Sequence, residues 1–164
     1  MSIQRVKPQD GQESVWDYPR PPKIEPFSGH LRIVLAGQVI CDSNQSFRIL
    51  ETSHPPTYYI PESDFISGAL KATSGQSFCE FKGMAHYYDV ESGSVRARKA
   101  AWGYRAPSAP YADLEERVAV YAHMMEACFV NDEQVQAQDG DFYGGWINSW
   151  IVGPFKGAPG TWGW

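Results

Sequence analysis

Short runs of β-branched and aromatic residues alternate with proline and glycine along most of this chain. No segment repeats apolar residues at the helical period over three turns, which argues against a helical bundle. The 15 glycines, 12 prolines and 14% aromatic residues suit short strands joined by tight turns. The sequence therefore predicts a mainly β fold, built of antiparallel sheets with one or two short helices.

The strand signals fall into recognisable pairs. Residues 31–41 form two β-branched runs broken at Gly37, which is typical of a β-hairpin. Residues 117–123 and 127–130 predict a second two-stranded ribbon. Helical turns are expected only at 61–65, where Pro61 can begin a helix, and at 112–117. Further strands are predicted at 47–52, 57–60, 77–82, 84–90 and 95–104.

The length of 164 residues fits one domain that can bury a sufficient core. Residues 1–12 are predicted to be a flexible tail, and 13–164 a single compact domain. That domain includes an extended N-terminal arm around Trp16, because the prolines that follow exclude helix there. From Asp139 onward, glycines and tryptophans are interleaved, and such a segment is held by aromatic burial rather than by regular structure.

Charge and composition narrow the function classes. The net charge of −5 and the scattered basic residues argue against nucleic-acid binding, which needs clustered Lys and Arg. The apolar runs are too short to cross a membrane, and the first residues lack a secretory signal, so a cytoplasmic protein is expected. Cys41, Cys79 and Cys128 are widely spaced and form no Cys-x-x-Cys pair, which favours reduced thiols over a disulfide framework.

Five strings carry a family resemblance: ETSHPPTYYIP at 51–61, CEFKG at 79–83, AWGY at 101–104, FYGGW at 142–146 and GPFKG at 153–157. Together they resemble the domain-of-unknown-function family four-twenty-seven (DUF427), from near Glu13 to Trp164. The resemblance implies a mainly β domain of the β-tent type, similar in shape to zinc-binding relatives such as methionine sulfoxide reductases. It implies no established activity, although the family carries a nucleotidyltransferase label.

Neither the transferase label nor the zinc parallel finds support in the residues. Nucleotidyl transfer needs carboxylates on neighbouring strands to hold Mg²⁺, and the only Asp-x-Asp, Asp139-Gly140-Asp141, is better explained as a turn. A structural zinc site needs closely spaced Cys or His pairs, which the sequence lacks. We therefore predict no metal and no cofactor.

Two candidates for acid–base chemistry lie in the 51–61 string. Glu51 ends a strand and would lie against apolar neighbours, which can raise a carboxylate pKa; the alternative is that it caps its own loop. His54 could share a proton with Glu51 or with a substrate; the alternative is a histidine that is simply hydrogen bonded.

Four further residues are candidates for ligand binding. Tyr58 and Tyr59 point to opposite faces of their strand, and the family string favours Tyr58 as the one that presents its hydroxyl. Lys82, before Gly83, is a candidate anion anchor or, alternatively, a partner in a surface ion pair. Trp102 and Tyr104 share a strand face and could stack on a planar ligand or pack in the core.

These residues support three hypotheses about function. The first is a pocket for a small anionic or planar metabolite, in which Glu51 and Lys82 belong to one site and an acid–base step follows binding. The second is a non-catalytic interaction module, with a homodimer formed through the Trp-rich C-terminal segment. The third is the nucleotidyltransferase of the family label.

Overall fold

A computed structural model describes residues 3–164, of which the secondary structure is mainly strand. The strand content is 46% and the helical content 9%, which confirms the predicted mainly β class. The helical content of the described residues is four short 3-10 segments, Val15–Asp17, Glu62–Asp64, Ala109–Leu114 and Ala122–Met124, where one or two helices were predicted. The first of them contains Trp16, so the exclusion of helix around this residue was wrong: the segment ends before the prolines, and the Ser14 side chain caps its start. No helix within residues 3–164 is long and apolar enough to cross a membrane.

The strands in the described residues are β1 Glu13–Ser14, β2 Lys23–Phe27, β3 Leu31–Leu35, β4 Gln38–Ser43, β5 Ser46–Leu50, β6 Thr57–Pro61, β7 Leu70–Cys79, β8 Gly83–Ser92, β9 Val95–Tyr104, β10 Arg117–Val120, β11 Ala127–Val130, β12 Glu133–Gln134, β13 Gln136–Ala137, β14 Trp146–Ile147 and β15 Ile151–Val152.

Two antiparallel sheets form the body of the domain. The larger has seven strands in the order β2-β5-β6-β10-β9-β8-β7, and the smaller has four in the order β12-β11-β3-β4. The predicted hairpin is confirmed as β3 and β4, joined by Ala36 and Gly37, whose φ angles of 51° and 71° are those of a type I′ turn. Two short pairs, β1 with β15 and β13 with β14, tie the ends of the chain to this body.

The predicted ribbon of residues 117–123 and 127–130 is wrong in its pairing. Both strands exist, but β10 pairs with β6 and β9 in the large sheet, whereas β11 pairs with β3 and β12 in the small one. The 3-10 segment Ala122–Met124 carries the chain from one sheet to the other. Each strand thereby buries its apolar side chains, Val118 and Val120 on β10 and Cys128 and Val130 on β11, in one shared core.

The large sheet is buried on both faces. One face packs against the small sheet through a core that includes Leu31, Ile33, Ile60, Val118 and Trp146. The opposite face carries a second apolar cluster, which the 3-10 segment Ala109–Leu114 covers: Ile49, Tyr59, Ala85, Trp102, Tyr104, Tyr111, Leu114, Ala119 and Tyr121. The candidate functional site lies on this second face.

The N-terminal arm is anchored by a partly buried charge network. The Arg48 guanidinium on β5 donates to Glu25 at 2.6 Å and to Glu13 at 2.7 Å, and the Tyr18 hydroxyl donates to Glu13 at 2.6 Å. Further upstream, the Val6 amide donates to the carbonyl of Gly153 at 2.9 Å. The flexibility of 1–12 stays a prediction.

The C-terminal segment is held by aromatic packing. Trp146 is buried and donates from Nε1 to the Val120 carbonyl at 3.0 Å. Trp150 packs against Phe27, and Trp164 lies 5.5 Å from Trp16 between ring centroids. Of the four tryptophans in this segment only Trp162, 58% exposed, is open to solvent, so three of the four stabilise the fold.

Candidate functional site

A cavity of about 270 Å³ opens on the second face of the large sheet. Its floor comes from β5, β6 and β9, one side from the turn between β7 and β8, and the opposite side from residues 142–144. The cavity brings together five of the six residues that the sequence singled out: Glu51, His54, Lys82, Trp102 and Tyr104. They come from three separate stretches of the chain, and their roles as functional residues stay predictions.

Tyr58, the sixth candidate, points the other way. Its ring lies in the core between the sheets, 5.1 Å from Phe27 and 5.4 Å from Trp146 between centroids. Its neighbour Tyr59 lines the cavity, because successive side chains on β6 face opposite sides of the sheet. The tyrosine that reaches the cavity is therefore Tyr59, and the preference for Tyr58 has to be corrected on geometry.

The turn that carries Glu51 and His54 is held in a constrained conformation. Ser53 is fully buried and has a φ of 73°, in the left-handed region that a non-glycine residue rarely adopts. The C-terminal segment clamps this turn, since the Lys156 amide donates to the Ser53 carbonyl at 2.9 Å and the Trp146 amide to the Pro56 carbonyl at 2.8 Å. Such strain persists only where surrounding contacts enforce it, and it is common at binding sites.

His54 is a mostly buried imidazole with one defined partner. Its Nδ1 lies 3.0 Å from the side-chain nitrogen of Gln138, and its ring packs edge-on against Tyr143 at 4.7 Å. Burial, together with the positive charges of Lys156, Arg20 and Lys82, lowers the pKa of His54 to about 4. The imidazole is therefore neutral at pH 7.

Glu51 lies at the same end of the cavity but is already paired. Its Oε2 is 3.3 Å from Arg20 Nε, and the Glu51 side chain is 23% exposed. The same oxygen is 3.8 Å from His54 Nε2, which is too long for a hydrogen bond. The Glu51 carboxylate thus forms an ion pair with Arg20 and makes no hydrogen bond to the His54 ring.

Lys82 supplies a positive charge to the cavity from another part of the chain. It lies in the turn between β7 and β8, followed by Gly83 at a φ of 110°, which favours glycine. Its Nζ is 5.9 Å from the Tyr104 ring centroid, and no carboxylate in residues 3–164 lies within ion-pair distance of it. Burial alone would lower the pKa of Lys82, but Tyr59, Cys79 and Glu51 together raise it, so the amine is charged.

Aromatic rings make up the rest of the wall. Trp102 Nε1 donates to the Tyr59 hydroxyl at 3.3 Å, and the Trp102 ring lies 4.5 Å from that of Tyr121. Burial raises the pKa of the Tyr59, Tyr104 and Tyr121 hydroxyls, so they remain protonated and can donate hydrogen bonds. This wall combines flat apolar surface with hydroxyl donors.

The sequence did not assign four further residues to the site: Gln138, Tyr143, Gly144 and Lys156. Lys156 Nζ lies 5.4 Å from the Tyr143 ring centroid. Gly144 is needed because a Cβ there would lie 2.1 Å from the Trp102 ring. Three of these residues, Tyr143, Gly144 and Lys156, lie in the FYGGW and GPFKG strings. The two strings were therefore the sequence signal that could have assigned them to the site.

The residues considered for metal binding do not converge. Asp139 and Asp141 lie exposed on a turn, and Cys41 and Cys128 are buried in the core, where burial raises their pKa values. Across residues 3–164 no group of three or more His, Cys, Asp and Glu side chains is placed to share one ion.

A family model described as "Domain of unknown function (DUF427)" matches residues 23–131, well over half of the chain. The chain belongs to this family. The short name of the family model, NTP_transf_9, refers to nucleotidyl transfer, whereas its description assigns no activity. The matched region of this DUF427 domain ends before the FYGGW and GPFKG strings. No curated protein matches the chain.

Proposed function

We propose that this DUF427 domain binds a small planar metabolite in the cavity, with an anionic or strongly polar group of the ligand placed beside Lys82. The observation that carries the proposal is that Lys82 is charged, has no carboxylate within ion-pair distance among residues 3–164, and lines a cavity with largely aromatic walls. Small-molecule sites usually have this composition: apolar and aromatic walls with a few convergent polar groups.

The volume is sufficient for a small ligand. A single-ring compound fits within the cavity of about 270 Å³, which is partly open to solvent. A larger ligand would extend out of the open side.

The charges around the cavity favour an anion. Lys82 and Lys156 line it together with Glu51 and Glu80, and Arg20 pairs with Glu51, so three cations face two carboxylates. Burial is the main cause of the lowered pKa of His54, and these same three cations lower it further, so their charges act on the site. Positive potential in a partly enclosed site raises the local concentration of anions.

An acid–base reaction on the bound molecule remains a hypothesis. Glu51 and His54 lie at one end of the cavity, within reach of a ligand that also contacts Lys82. Binding can be tested before any reaction is known.

The test compares Lys82→Met with Lys71→Met, which removes an exposed lysine on β7 away from the cavity. Freshly purified protein is denatured, and the released small molecules are identified by mass spectrometry. The expected result is a planar acidic compound released from the wild type and from Lys71→Met but depleted in Lys82→Met. Equal recovery from all three proteins would contradict the proposal.

The interaction module is the alternative. Trp162 and Phe142 are 58% and 65% exposed, and they are the residues of the C-terminal segment that could contact a second copy. A Trp162→Ser variant that changes the mass measured by light scattering would support a homodimer through this segment.

The nucleotidyltransferase alternative rests on the short name of the family. Mg²⁺-dependent binding of ATP, measured by calorimetry, would support it.

A further inference from the structure

Gln138 is a buried residue whose side-chain orientation is fixed by two backbone groups. Its Oε1 accepts from the Gly145 amide at 3.0 Å, and its Nε2 donates to the Lys156 carbonyl at 2.7 Å. An amide N–H can only donate and a carbonyl can only accept, so the reversed orientation of the Gln138 amide would lose both bonds. The second hydrogen of Gln138 Nε2 then points to His54 Nδ1 at 3.0 Å.

This arrangement determines which nitrogen of His54 carries the proton. Because Gln138 donates to Nδ1, that nitrogen must accept, and the proton of the neutral ring lies on Nε2. Nε2 has no hydrogen-bond partner among the described residues, since Glu51 is 3.8 Å away. His54 thus presents a free N–H and no lone pair on the side that faces Glu51.

We propose that Gln138 is a positioning residue that holds His54 as a hydrogen-bond donor, and that the cavity consequently selects a planar carboxylate that accepts from His54 and pairs with Lys82. This inference rests on the proposed binding function and specifies its ligand class. The Tyr121 hydroxyl already donates to the Phe142 carbonyl, and Glu51 and Glu80 can only accept, so the donors that carry the inference are the His54 N–H and the Lys82 ammonium. A carboxylate accepts through two oxygens and so matches them.

The same geometry disfavours a cationic ligand group and a general-base role for His54. A cation would meet three positive side chains, Lys82, Lys156 and Arg20. A general base at His54 would need a lone pair on Nε2, which this tautomer does not have.

The first experiment measures the tautomer directly, without any ligand. In ¹⁵N-labelled protein at pH 7, long-range ¹H–¹⁵N spectra should show His54 neutral with the proton on Nε2, the His54→Gln variant providing the assignment. Gln138→Glu keeps the side-chain shape but offers an acceptor to Nδ1. It should therefore move a proton to Nδ1 and raise the pKa of His54. A wild-type His54 that is protonated on Nδ1 or on both nitrogens would overturn the inference.

The second experiment tests the ligand class with benzoate and its neutral isostere benzamide, followed by NMR shifts of the Trp102 indole N–H. Benzoate should bind at least about tenfold more tightly than benzamide, because it adds charge-assisted hydrogen bonds. The preference should disappear in Lys82→Met, weaken in Gln138→Glu, and persist in Lys71→Met.

The outcomes separate the two proposals. Equal affinity for benzoate and benzamide would overturn the carboxylate inference and leave the binding function standing. Failure of both probes to shift the Trp102 signal in folded protein would count against both proposals.

Discussion

Replacing Gly144 by alanine tests whether the 142–144 wall depends on contact with Trp102. The new Cβ would lie 2.1, 2.9 and 3.1 Å from three atoms of the Trp102 ring. Carbon atoms prefer about 3.5–4.0 Å, so the wall and the ring must separate by more than 1 Å. Overpacking of this kind costs about 1–3 kcal/mol, and the reduced freedom of the unfolded chain returns about 0.4–1 kcal/mol. We expect a net loss near 2 kcal/mol.

Gly163→Ala is the matched control, because a Cβ there meets no atom within 4 Å and its φ is not in the left-handed region. Urea unfolding monitored by tryptophan fluorescence gives the free energy of unfolding for both variants. For a domain of this size, 2 kcal/mol corresponds to a fall in Tm of about 4–8 °C, while the control should stay within about 0.5 kcal/mol of the wild type. Equal stabilities for the two variants would refute the proposed packing of Gly144 on Trp102.

Three further predictions concern titratable and charged groups. Arg48→Met leaves two partly exposed carboxylates of the arm network without their partner and should reduce the free energy of unfolding by about 1–2 kcal/mol, whereas Arg98→Met at an exposed site should change it little; equal effects in urea unfolding would contradict this. The folded pKa of His54, about 4, lies below its ordinary 6.5, so the unfolded chain takes up a proton first. The free energy of unfolding should therefore fall by up to about 3 kcal/mol between pH 6.5 and 4 because of His54, and this contribution should be absent in His54→Gln. Glu51→Gln and Lys82→Met should show coupling of at least about 0.5 kcal/mol in a double-mutant cycle of unfolding free energies, and additive losses would separate the two residues.

Local signals were sufficient for the β3–β4 hairpin and for β5, β6, β8 and β9, whereas β2 and the two-residue strands were not predicted, and β7 covers Leu70–Cys79 rather than the predicted 77–82. Ala36-Gly37 between two β-branched runs can hardly be anything but a hairpin turn. Glu51 and His54 follow one strand, and Lys82 lies in the next hairpin turn on the same sheet, so antiparallel pairing brings them to one face. The strand order and the alternation of side chains along each strand were enough to predict that Glu51 and Lys82 lie in one cavity.

The choice between Tyr58 and Tyr59 could not be made from the pattern on β6. Alternation identifies the face of a strand only when one face is polar, whereas these two side chains are 3% and 2% exposed. A strand buried on both sides gives no sign of which face holds a core and which a cavity. The pairing of β10 and β11 failed for a related reason, since two apolar runs close in sequence can join different sheets through a short connecting segment.

Gln138 gave no sequence signal because its role depends on contacts with distant backbone atoms. It lies 84 positions from His54, and its two other partners are main-chain groups of Gly145 and Lys156, which any residue type would supply. Gln138, Gly145 and Lys156 all lie beyond residue 131, where the family match ends. The matched region alone therefore contains Glu51, His54 and Lys82 but not the groups that orient the imidazole. If the donor state of His54 selects the ligand, specificity depends on residues 138–156, which orient the imidazole. The Lys82 ammonium, in contrast, supplies affinity for any small anion.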